Sequence, residues 1–223
     1  MRTFDEILAI AIERKGGREA VLGALPPLKS ARQLAAIPDD RWLAAMARGI
    51  FQAGISWKVV DAKWPEIEEA FDGFAIGPNA MMSDDRFDAL MADRRVIRSA
   101  PKIRAIRDNA VFIGAVAREH GSFGRKIADW PGTDFAGLLE WLKQNGARLG
   151  GNTGPYMLRY MGKDGFTLSR DVIGRLVAEG VLDKAPTSKK AMAAMQAAFN
   201  QWAEESGQPL AVISRVLAQS IDS

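Results

Sequence analysis

The chain has 223 residues, 48% of them apolar, a formal net charge of +3 and a sequence pI of about 9.3. That length suits one large domain or two lobes sharing a cleft, and the mild basic excess permits a polyanionic partner without proving one. The absence of cysteine excludes disulfides, thiolate chemistry and cysteine-held zinc, and a single histidine, His120, excludes a His-rich metal site. No apolar run reaches the length of a membrane span, and Asp5 and Glu6 bring acid too early for a signal peptide. The expectation is a soluble cytoplasmic protein with no metal and no cofactor.

Apolar residues recur at helical spacing from the start: Phe4, Ile7, Leu8, Ala11 and Ile12 predict a helix over 4–15, stopped by Gly16-Gly17. Short helices follow over 18–25 and 28–37, separated by the break at Pro26-Pro27. Pro38, followed by the acids Asp39 and Asp40, opens a long helix over 38–53 that carries Trp42, Leu43, Met46 and Ile50 and stops at Gly54. Ser56 is the expected N-cap of the next helix, with Trp57, Val60 and Trp64. Residues 71–74 read as a turn and 79–83 as a connector, and Ser83 caps a helix through Met91. A helix over 99–119 carries Ile103, Ile106, Ala110 and Ile113, with Arg118-Glu119-His120-Gly121 as its C-terminus. Its start is basic (Arg94, Arg95, Arg98, Lys102, Arg104, Arg107), which reads first as a solvated face. Helices over 135–149, 156–161, 169–178, 187–205 and 209–221 complete the chain. No alternating strand run is present, so the class is all-α.

The stretch Leu149-Gly150-Gly151-Asn152-Thr153-Gly154-Pro155 joins two of these helices. Its glycines allow positive φ and close backbone approach, and Pro155 suits a first helical turn. The expected product is a tight hairpin whose N–H groups face outward at a helix N-terminus, a place that binds phosphate. An ordinary glycine-stopped helix joint reads equally well from these residues alone.

Two further stretches, with the hairpin, resemble the DNA-3-methyladenine glycosylase I family of the helix-hairpin-helix glycosylases. Gln52-Ala53-Gly54-Ile55-Ser56-Trp57 looks like that family's Gln-Ala-Gly-Leu-Ser-Trp signature. Residues 96–110, with Ile97-Arg98, Lys102-Ile103, Ala105-Ile106 and Asn109-Ala110, are similar to its Ile-Ile-Arg, Lys-Ile-x-Ala-Ile and Asn-Ala segments. Gly121-Ser122-Phe123, Trp130 and the hairpin with Tyr156 extend the resemblance over roughly residues 38–161. It implies two helical lobes around a cleft. Residues 35–130 are expected to form the lobe bearing Trp57, and 1–34 with 131–223 the helix-hairpin-helix lobe.

The resemblance further implies a monofunctional DNA repair glycosylase that removes alkylated purines such as 3-methyladenine. Such enzymes hold an extruded base in a pocket, and an indole face attracts a cationic purine. Trp57 then stacks on the base, with Gln52 and Tyr156 beside it. A core tryptophan is the alternative for Trp57, and Tyr156 faces either cleft or core. Gly151, Asn152, Thr153 and Gly154, with Arg98, Lys102 and Arg148, are expected on the DNA backbone. Asp171 is the candidate catalytic carboxylate, although acids in a first turn also simply stabilise helices. The partner is double-stranded DNA with a damaged base, met by a monomer in a bacterial cytoplasm.

Two departures from the family pattern matter. Gly49 stands where the family carries a base-recognising Glu, which leaves a catalytically silent DNA-binding protein as the alternative. The terminal zinc ligands are missing too. Pro155 falls where bifunctional lyases carry a lysine, so no Schiff-base step is expected.

Overall fold

Helix signals in the sequence are local and strong, and the computed structural model, which describes residues 1–23 and 27–222, follows most of them. The first three helices are α1 (Phe4–Lys15), α2 (Arg18–Leu22) and α3 (Ala31–Ala35). Thr3 and Ser30 cap α1 and α3 with reciprocal Glu6 and Gln33 capping boxes. The expected extension of the second helix to Leu25 and the break at Pro26 lie outside the described residues. The long helix α4 (Asp39–Gln52) starts after Pro38 and ends at Ala53, and Gly54 takes φ +78° just beyond. Next come α5 (Trp57–Ala70), α6 (Ile76–Ala80), α7 (Asp84–Ala92), α8 (Ala100–His120) and α9 (Phe123–Asp129). The chain closes with α10 (Phe135–Asn145), α11 (Thr153–Met161), α12 (Arg170–Ala178), α13 (Lys189–Ser206) and α14 (Leu210–Gln219). Among the described residues there is no strand.

Three local expectations need correction. Ser56 precedes α5 as expected, but its hydroxyl accepts no capping bond. Residues 76–80 are helical, so a helix runs into the start of the connector expected over 79–83. There the buried amide of Asn79 reaches back to the carbonyls of Phe71 and Ala75, holding a turn too short to show periodicity. The helix expected over 135–149 stops at Asn145, four residues early.

Contacts divide the chain into two units. A terminal unit comprises residues 1–28, 131–138 and 162–223, and a central unit comprises 29–130 and 139–161. The division therefore runs differently from the expected one, because 139–161 group with the segment that carries Trp57. The physical reason is packing: α11 lies along α4, and buried Asn109 of α8 is hydrogen-bonded to Ala147. The central unit buries Trp42, Phe51, Phe71, Phe74 and Phe123. The terminal unit is closed around Phe135, Phe166, Phe199 and Trp202, whose rings meet in sequence at 4.9, 4.5 and 5.9 Å.

Candidate functional site

The hairpin is built by close approach. A Cβ on Gly154 would stand 2.7 Å from the Leu149 carbonyl oxygen, so only glycine lets the bend close there. Gly151 takes φ +60°, and Arg148 takes the same left-handed conformation without being glycine. Asn109, fully buried, donates to the Ala147 carbonyl at 3.0 Å and accepts from the Ala147 N–H at 2.8 Å. This reciprocal pair pins the entry of the bend to α8. The Thr153 N–H donates to the Gly150 carbonyl and that of Tyr156 to Asn152. Among the described residues the N–H groups of Gly151, Asn152 and Gly154 donate to no acceptor, as an anion-binding helix start requires. Gly151 and Asn152 are exposed, Thr153 is half-buried and Gly154 is buried.

A cavity of about 300 Å³ lies beneath the bend, lined by Ile50, Ala53, Arg148, Gly150 and Thr153. One turn back on α4, a Cβ on Gly49 would meet the Thr153 methyl at 3.1 Å. A larger side chain at position 49 therefore competes with the N-terminal turn of α11 for the same space.

Three helices of the central unit contribute the polar and aromatic residues. Arg48 and Gln52 sit one turn apart on α4. Trp57, Asp61 and Trp64 share one face of α5, and Tyr156 and Tyr160 share one face of α11. Trp57 is 55% exposed, so it is not a core tryptophan. Half-buried Tyr156 meets it edge-on, with ring centroids 5.9 Å apart. The Arg48 guanidinium lies 5.5 Å from the Trp64 ring and 5.2 Å from the Tyr160 ring. It donates to the Tyr160 hydroxyl at 3.0 Å and to Asp61 Oδ1 at 2.8 and 3.2 Å. Gln52 Nε2 donates to the same Oδ1 at 3.2 Å.

The basic start of α8 is largely used inside the unit. Lys102, expected on the DNA backbone, is 8% exposed, and its ammonium donates to the carbonyls of Phe51 and Ala53. Burial, with the nearby Arg148 charge, pushes this amine below the ordinary lysine value. Its task is to satisfy the orphan carbonyls at the end of α4, which corrects the expected phosphate contact. Arg95 pairs with Asp93 and Glu69. Arg98 and Arg148 are exposed and, among the described residues, make no hydrogen bond or ion pair. His120 closes α8 in its last turn, 3.4 Å from Glu119.

Asp171 belongs to the terminal unit. It is half-buried in the first turn of α12, whose Ser169 cap accepts from the Val172 N–H. Sequence reasoning missed Arg48, Asp61, Trp64 and Tyr160. The i, i+4 spacing from Gln52 to Arg48 and from Trp57 to Asp61 was the available signal.

The helical arrangement is that of DNA glycosylases. The structure is similar to 3-methyladenine DNA glycosylase I from Staphylococcus aureus, at 24% identity over 56% of this chain and 77% of that one, with a TM-score of 0.50. A mutant of that glycosylase, also from Staphylococcus aureus, matches at 23% identity over 61% and 80%, with a TM-score of 0.50. An 8-oxoguanine glycosylase/lyase from Methanocaldococcus jannaschii, solved with DNA containing 8-oxoguanine, matches at 15% identity over 95% of both chains, with a TM-score of 0.51. These likenesses show the fold. Residues 37–162, more than half of the chain, match the methyladenine glycosylase family, and the chain belongs to that family. It is thus a DNA repair enzyme of the class that hydrolyses N-glycosidic bonds of alkylated bases.

Proposed function

We propose that this chain, acting as a monomer, extrudes a cationic alkylated purine such as 3-methyladenine from duplex DNA and hydrolyses its glycosidic bond with water. The supporting observation is Trp57: a large indole held half in solvent at the start of α5, with Tyr156 against its edge. A positively charged purine stacked on that face gains on the order of 0.5–2 kcal/mol of cation–π attraction. The free amides of Gly151 and Asn152, with Arg98 and Arg148, suit the sugar-phosphate strand.

A cationic base is already a good leaving group, so catalysis asks mainly for stabilisation of an oxocarbenium-like sugar. Asp171 is our candidate for the carboxylate that supplies it. No amine occupies the Pro155 position, which fits hydrolysis by water rather than a lyase step. Base release from methylated duplex DNA is the test. Trp57→Ala and Asp171→Asn are each expected to lose base release while keeping the wild-type melting temperature. Full activity in both would remove the site assignment, and tight DNA binding by a wild-type protein that frees no base would make it a silent damage binder.

A further inference from the structure

Gly49 stands where the resemblance implies a base-recognising carboxylate, and a Cβ there would meet the Thr153 methyl of α11 at 3.1 Å. We propose that Asp61 supplies the missing carboxylate, reading the amino edge of the purine stacked on Trp57. This inference rests on the glycosylase reading above.

Four observations carry it. Asp61 is one helical turn beyond Trp57 on the same face of α5, so its Cβ lies about 5–6 Å from that of Trp57. Its side chain is 46% exposed, accessible to a ligand. All three of its donors, two from Arg48 and one from Gln52, converge on Oδ1. Among the described residues Oδ2 accepts no hydrogen bond, although a carboxylate oxygen offers two lone pairs.

The surroundings fix this geometry before any ligand arrives. Arg48 is tied to the Tyr160 hydroxyl and lies near the faces of Trp64 and Tyr160. Trp64 in turn stacks on buried Phe74, with centroids 5.5 Å apart and planes 13° apart. The carboxylate is thereby held in one orientation, so accepting from a ligand costs little side-chain entropy. A lone surface ion pair has no need of such support, since it contributes little to stability. A 3-methyladenine cation presents an exocyclic amine, which donates well to a carboxylate oxygen. Gln52, its nitrogen engaged on Oδ1, acts here by orienting the carboxylate so that Oδ2 stays open.

The test uses the full chain and single-turnover release of 3-methyladenine from methylated duplex DNA. Asp61→Asn keeps an oxygen for Arg48 and Gln52 but turns the open acceptor into a donor that faces the purine amine. We expect kcat/KM to fall about 10- to 100-fold, the loss of one charge-assisted hydrogen bond. Binding to duplex DNA containing an abasic-site analogue, which has no base to read, should stay within about twofold of wild type. Asp61→Glu, which restores the charge on a longer arm, should recover part of the lost rate. Release by Asp61→Asn within twofold of wild type, or equal loss in abasic-site binding, overturns the proposal while leaving the glycosylase reading intact. A wild-type protein that releases no base overturns the glycosylase reading, and the Asp61 assignment with it.

Discussion

Asn109 shows how much one buried amide can organise. It lies on the apolar stripe of α8, fully buried, and exchanges two hydrogen bonds with the backbone of Ala147. Removing it strands the part-buried N–H and C=O of Ala147 in one step. Asn109→Ala is therefore expected to cost about 2–4 kcal/mol, measured by urea denaturation. Because the pair anchors the hairpin entry, DNA affinity should fall as well. Lys102 makes the complementary point, since its charge serves two carbonyls of the chain itself and a composition-level count of basic residues overstates the DNA-facing charge. Both residues stand in the stretch whose resemblance named the family. The motif was legible in the sequence, but its internal structural duties were not, because the partners lie 38 residues away for Asn109 and 49 and 51 away for Lys102.

At the scale of elements, the joint between α10 and α11 carries the strain. Arg148 holds φ +60° although it has a Cβ, and left-handed backbone costs a non-glycine residue about 1–2 kcal/mol. The position retains a cation there, exposed and unpaired among the described residues. Arg148→Gly is therefore expected to stabilise the fold by about 1 kcal/mol in thermal unfolding while weakening duplex binding at low salt. Unchanged affinity would show that Arg148 has no part in holding DNA. The hairpin was legible from Gly150, Gly151, Gly154 and Pro155, because each answers a steric demand visible in its residue type. The early end of α10 was not, because Ala147, Arg148 and Leu149 still read as helix formers and outweighed the stop signal of Gly146.

For the molecule as a whole, the terminal unit is gathered from three separate stretches of chain and fastened at its beginning by Glu179. The Glu179 side chain is 2% exposed and accepts from the Arg2 backbone N–H, the Arg2 guanidinium and Arg175. Burial opposes its charge, but the bonds from Arg2 and Arg175 together outweigh it and hold the carboxyl below its ordinary value of 4.5. A carboxylate lowered on folding stabilises above its unfolded pKa, and that contribution fades as pH falls from about 4.5 through the folded value. Glu179→Gln should therefore lower unfolding free energy by about 1–3 kcal/mol at pH 7, with the difference from wild type narrowing as pH falls below about 4.5. A difference that does not narrow at all as pH falls below about 4.5 would assign the effect to packing instead.

The sequence by itself determined the all-α class, nearly every long helix, the hairpin, and the family through three ordered motifs. These are local properties: periodicity, turn chemistry and residue type report on neighbours a few positions away. Only tertiary structure decided that 139–161 join the unit of Trp57, that Lys102 faces inward, and that Arg48, Gln52 and Asp61 converge on one oxygen. Those outcomes depend on how helices far apart in the chain pack face to face, and such packing is settled by volume and hydrogen-bond satisfaction across the core, which no window of sequence contains.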